Sequence, residues 1–157
     1  MSATDVLAAA RAAGVMIATA ESCTGGMIIA ALTDVAGSSD VVDRGFVTYS
    51  NAAKIEMLGV SETTLARTGA VSEEIAREMA TGALAHSAAG LAVSVTGIAG
   101  PGGSEHKPEG RVCFGIALKS GKTRTETVEF GALGRENVRA ATRDHALSLL
   151  LAALRGA

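Results

Sequence analysis

The residues that can do chemistry gather at three points. The first is Glu21-Ser22-Cys23-Thr24-Gly25-Gly26, where an apolar run gives way to polar residues. A hydroxyl at a strand-to-helix turn is exposed, and the following helix N-terminus offers free N–H groups and positive potential. That suits a serine nucleophile with an anion-stabilising site beside it. It equally suits Ser22 or Thr24 as a plain helix cap. Glu21 and Cys23 flank the serine, so this is not the G-x-S-x-G elbow, and no Gly-Lys-Ser/Thr follows to make a P-loop. Cys23 is a second candidate nucleophile, because a helix N-terminus lowers a thiol pKa. Its other reading is a small buried residue under the turn. In an extended chain it points away from Ser22, so the two do not both face one cleft.

A serine needs a base. Lys54 lies one turn into a helix opened by Ser50 or Asn51. Desolvated in a cleft it works as a neutral base; otherwise it is a solvated surface lysine. Tyr49, the one tyrosine, lies at that helix start. His86 ends a long helix and His145 lies inside the last one, while His106 sits in a Gly/Pro loop that can line a cleft. None has metal-ligand spacing with another His or a Cys, so no metal is expected. The third point is Thr96-Gly97-Ile98-Ala99-Gly100-Pro101-Gly102-Gly103. Its backbone N–H groups can cradle a phosphate, or it is simply a flexible loop. Arg135 and Arg139 open the last helix, where the dipole mildly disfavours cations. They mark either an anionic ligand or a solvated helix start.

These residues need a scaffold, and the patterning supplies one. A helix carrying Val6, Leu7, Ala10 and Ala13 is expected, capped by Ser2 or Thr4 and ended by Gly14. Buried strands are expected over 15–20 and 91–96, further strands over 44–49 and 112–118, and a half-exposed one over 123–130. Helices are expected over 27–32, after Ser50 or Asn51 to Gly59, from Ser72 to Leu84, and from Gly134 or Asn137 through Leu154; a short helical turn is expected over 61–66. A loop covers 36–39, and Ser120-Gly121-Lys122 turns the last two strands into a hairpin. Strands alternating with helices make an α/β layer fold, and the hairpin makes its sheet mixed. Ligands of such sheets bind beyond the carboxyl ends of the strands, so the three polar segments can share one cleft.

Composition narrows the class. The 157 residues suit one domain, residues 1–157, with no linker or repeat. Apolar residues make up 48% and charged ones 19%, enough for a core and too little charge for disorder. The net charge of −2 and 3% aromatics argue against a nucleic-acid partner. No run approaches a membrane span, and the start lacks the basic stretch of a signal peptide. Two cysteines do not make a disulfide framework. A cytoplasmic protein without a membrane partner is expected. The Ala- and Leu-rich stretch from Ala141 to Leu154 serves either the core or a homo-oligomer interface.

Taken together, Thr19-Ala20-Glu21-Ser22-Cys23-Thr24-Gly25-Gly26, Gly45-Phe46-Val47-Thr48-Tyr49-Ser50-Asn51 with Lys54, Gly69-Ala70-Val71-Ser72 and Thr96-Gly97-Ile98-Ala99-Gly100-Pro101 resemble the CinA C-terminal domain family. The resemblance covers nearly the whole chain. It implies a three-layer α/β/α sandwich with a mixed, mostly parallel sheet. It implies hydrolysis of the carboxamide of nicotinamide mononucleotide, without a cofactor. It places a serine nucleophile, a lysine base and a nearby tyrosine at Ser22, Lys54 and Tyr49. Substrate contacts are expected from Thr24, Gly25, Gly26, Asn51, Thr96, Gly97, Gly100, Arg135 and Arg139, the phosphate meeting 24–26, the Gly100 loop or an arginine. The loop over 102–110 departs from the family pattern, with His106 in place of an acid and Glu109 in place of an apolar residue. Two other readings stay open: a Ser/Lys hydrolase of a different small amide, and a non-catalytic nucleotide-binding module linked to competence or DNA damage.

Overall fold

Strand alternation decides which helices cover which face. In β1 (Ile17–Glu21) and β3 (Leu91–Gly97), Ile17, Leu91, Val93 and Val95 point to one side, where they pack with α1 (Ala3–Ala13), α2 (Met27–Thr33) and α6 (Arg135–Leu154). Ala18, Ala20 and Ala92 point to the other side, against Leu58 of α3 (Asn51–Leu58) and Ile75, Met79 and Ala83 of α5 (Glu73–Ala85). The short α4 (Glu62–Thr68) packs on α5 from that side. Two helical layers therefore enclose one sheet, in a computed structural model that describes residues 3–156. Each fully buried Leu, Ile, Val or Met of these cores contributes about 1.5–3 kcal/mol.

The sheet completes with β2 (Val42–Val47), β4 (Arg111–Leu118) and β5 (Thr123–Glu129), in the order β2-β1-β3-β4-β5. β1 pairs parallel with β2 and β3, while β4 pairs antiparallel with β3 and β5. Four strands thus point one way and β4 opposes them, the mixed sheet that the hairpin implied. The carboxyl ends of β2, β1 and β3 lie side by side.

The local signals acted as expected at several ends. Ser50, Ser61 and Ser72 each accept a backbone N–H to cap α3, α4 and α5. Several boundaries differ, three of them with consequences for the fold or the site. The first helix is already under way at Ala3, so Thr4 lies inside it; Ser2 lies outside the described residues. The 36–39 loop becomes a 3-10 turn over Ser38–Asp40, held by Arg11 on the Gly37 carbonyl and the Asp40 carboxylate. β2 stops at Val47, two residues before Tyr49, which leaves Tyr49 in the connection to α3 with 61% of its surface exposed.

Candidate active site

Glu21 ends β1 on the face that α2 covers. Its side chain is fully buried, and among the described residues it meets no cation. Four donors satisfy it instead: the Thr19 hydroxyl at 3.0 Å, the Thr24 hydroxyl at 2.7 Å, and the Ile28 and Ile29 N–H groups at 2.9 Å each. The carboxylate therefore caps α2 from seven residues upstream, where negative charge is favoured by the helix dipole. The other first-turn donors are also taken, Met27 N–H by the Thr24 carbonyl and Ala30 N–H by the Gly26 carbonyl.

Ser22 follows, so alternation turns it to the opposite side, toward α3. Its N–H donates to the Val95 carbonyl, which docks the turn on β3. Lys54 reaches it from α3: Nζ lies 3.1 Å from Ser22 Oγ, 3.1 Å from the Thr48 carbonyl and 3.2 Å from the Tyr49 carbonyl. Lys54 is 2% exposed and meets no carboxylate oxygen at salt-bridge distance among the described residues. Burial lowers its pKa, opposed by weaker attraction to Cys23 and Glu105. Three oxygens surround Nζ: two carbonyls that accept its N–H groups, and the Ser22 hydroxyl, which accepts from the ammonium and can donate to the amine once it is neutral. Ser22 and Lys54 thus form a hydroxyl–amine pair able to generate a nucleophile without histidine.

Cys23 is the alternative that burial disfavours. It packs in the core with α1 and α6, and burial pushes its thiol up to about 12. A thiol so raised carries almost no thiolate at neutral pH. Contrary to the expectation from alternation, Cys23 borders the same cleft as Ser22, with 5% of its surface exposed.

A cleft of roughly 230 Å³ opens over Ser22 and Lys54. Tyr49, Asn51, Thr96, Gly97 and Arg135 line it, as do Ala70, Val71, Ile98, Ala99, Ser104 and Glu105. Thr96 is held by its hydroxyl on the Ala70 carbonyl at 2.9 Å. Arg135 crosses the rim, donating to the Gly100 carbonyl at 2.6 Å and to the Tyr49 hydroxyl at 3.0 Å. Tyr49 therefore reaches Lys54 through its carbonyl, while its phenol turns to Arg135.

Other expected contacts fall elsewhere. Thr24, Gly25 and Gly26 do not line the cleft, and the α2 donors beside them are already engaged. Arg139 faces the back of the turn, donating to the Cys23 carbonyl at 3.0 Å and the Thr24 carbonyl at 3.3 Å. A trans peptide opposes its C=O and N–H. Arg139 thus turns the Thr24 N–H away from α6, and that N–H finds no acceptor among the described residues. His106 is absent from the cleft wall, whereas its neighbour Glu105 is part of it. Sequence reasoning missed Glu21 as the organiser of the turn. A carboxylate closing an otherwise apolar strand was the available signal. No group of three or more His, Cys, Asp or Glu able to hold a metal occurs among the described residues.

Comparisons with known proteins place the whole chain. The model of the CinA C-terminal domain matches residues 1–154. A protein of Enterobacter agglomerans named nicotinamide-nucleotide amidohydrolase PncC is 57% identical over 136 residues, 86% of this chain and 82% of that protein. The protein of that name from Escherichia coli K12 is 51% identical over 143 residues, 90% of this chain and 86% of its own. A crystal structure of the competence/damage inducible protein CihA from Agrobacterium tumefaciens superposes with a TM-score of 0.88 at 50% identity, covering 96% of each chain. Sequence, fold and site lead to one assignment: the chain belongs to the CinA C-terminal domain family.

Proposed function

We propose that this amidohydrolase acts on nicotinamide mononucleotide, giving nicotinate mononucleotide and ammonia, with Ser22 as nucleophile and Lys54 as base. The observation that carries the reading is the 3.1 Å contact between a serine hydroxyl and a buried lysine with a lowered pKa. The names of relatives that share most of the chain point to the substrate. Neutral Lys54 takes the Ser22 proton as Oγ attacks the carboxamide carbon. The C=O electron pair moves onto oxygen, and backbone N–H groups directly after Ser22 or in the Thr96-Gly97 turn hold the developing charge. The C–N bond then breaks, and the Lys54 ammonium gives its proton to the departing amine, which leaves as ammonia. Water attacks the Ser22 ester, one of its protons passes to Lys54, and Ser22 takes that proton back as the carboxylic acid leaves and ionises to solvent.

Substrate orientation falls to the rim. Arg135 is the cation lining the cleft, and a phosphate is the natural partner of its guanidinium. The Tyr49 phenol fixes that guanidinium and closes the same wall. Asn51 and the Thr96-Gly97 turn complete the pocket for the ring. The test is product analysis: protein treated with EDTA should release ammonia and nicotinate mononucleotide in equal amounts. Ammonia from another amide, with none from this nucleotide, would transfer the Ser–Lys chemistry to a different substrate. Binding of the nucleotide without ammonia would make the chain a sensor.

A further inference from the structure

Glu109 stands outside the cleft wall, yet it joins the two segments that form the rim. Its Oε1 accepts the Gly102 N–H at 2.7 Å, and its Oε2 accepts the Gly134 N–H at 3.0 Å. Gly102 belongs to the loop that follows β3. Gly134 is the residue before α6, directly ahead of Arg135. Arg135 in turn donates to the Gly100 carbonyl, so the loop and the helix start are tied twice, once through each residue. The carboxyl group lies beneath Gly100: a Cβ at that position, whose φ is +91°, would come within 2.6 Å of Glu109 Cδ. The α6 N-cap is a glycine without a side-chain cap, so the carboxylate also supplies the negative charge that this helix start lacks.

We infer that Glu109 is a positioning residue that sets Arg135 and the Gly100 loop for the anionic group of the substrate, an inference that rests on the proposed reading of Arg135. It touches no reacting atom. Its two oxygens accept from two main-chain donors across the rim, a task glutamine cannot copy. An amide has one carbonyl oxygen, and its NH2 would face a backbone N–H. Losing this link should free the rim while leaving Ser22 and Lys54 in place, because neither contacts Glu109.

The experiment is steady-state kinetics of Glu109→Ala, Arg135→Ala and the double variant with nicotinamide mononucleotide, beside amide hydrogen exchange at Gly102 and Gly134. Glu109→Ala should raise KM by about tenfold, the value of one hydrogen bond to a charged group, with kcat within about twofold. Its effect should vanish in the Arg135→Ala background, since both act through one contact. Exchange at both glycines should accelerate. An unchanged KM, a loss confined to kcat, or full additivity with Arg135→Ala would overturn the inference. Should Glu109→Ala fold poorly, Glu109→Gln supplies the same comparison, with exchange accelerated at one or both glycines. If the wild type does not turn over the nucleotide, the functional reading fails on its own. Unchanged exchange in the variants would then separately sink the link.

Discussion

At the residue scale the account rests on Lys54. Its pKa lies below the ordinary 10.5 because burial penalises the ammonium. The base form is the neutral amine, so kcat should rise with pH through the lowered pKa and level off above it. The stability consequence has a definite sign. Between the lowered folded value and 10.5 the unfolded chain binds more protons, so stability rises with pH across that window. Lys54→Met removes the base, and kcat should fall by about 10²–10⁴-fold while the nucleotide still binds; an unchanged kcat would end the assignment. Cys23 offers a contrast one residue from the proposed nucleophile. With its thiol near 12 and its side chain in the core, it should resist alkylation at pH 7.5 in the folded protein. Cys23→Ala should retain activity. Rapid alkylation with matching loss of turnover would restore the thiol as a candidate.

At the element scale, the turn between β1 and α2 is the device that presents Ser22. Glu21 grips its inner side through Thr24 and two α2 N–H groups, and Arg139 grips its back through two carbonyls. Glu21→Gln keeps the shape but turns donors toward donors. It should cost about 2–4 kcal/mol from lost charge-assisted hydrogen bonds, read as a fall in unfolding midpoint in urea. A midpoint within error of wild type would show that α2 does not depend on this carboxylate. The same turn marks how far local pattern carried the reading. Ser50 and Ser72 were legible as caps because a cap is settled within three residues. The hairpin at 120–122 was legible for the same reason. The phosphate contacts expected at Thr24, Gly25 and Gly26 rested on a free helix N-terminus, and it is occupied by a side chain from the preceding strand. Arg139 reads as an anion ligand from its position on α6; its partners lie 116 and 115 residues upstream. The Tyr49 phenol meets Arg135 across 86 positions, which no local pattern reveals.

At the scale of the whole molecule, one sheet places β2, β1 and β3 side by side, and their carboxyl ends bring Tyr49, Ser22 and Thr96 to one cleft. The sequence allowed that convergence on the condition that the three strands were parallel neighbours, and the order β2-β1-β3 meets the condition. The depth of Lys54 was not, since it depends on how α3 docks against α5. Gly82 controls that docking: a Cβ there would run into the Leu58 carbonyl. No helix among the described residues is long and apolar enough to cross a membrane. The preformed cleft also predicts a linkage effect. Nucleotide at a hundred times its Kd should stabilise Ser22→Ala by about 2.7 kcal/mol, seen as a rise in Tm; no rise would place the nucleotide elsewhere. The central claim is tested most directly by kcat of Ser22→Ala on nicotinamide mononucleotide, with the variant shown to be folded. The account predicts a loss of at least about 10³-fold, the scale seen when a serine nucleophile is removed. Turnover within tenfold of wild type would contradict it.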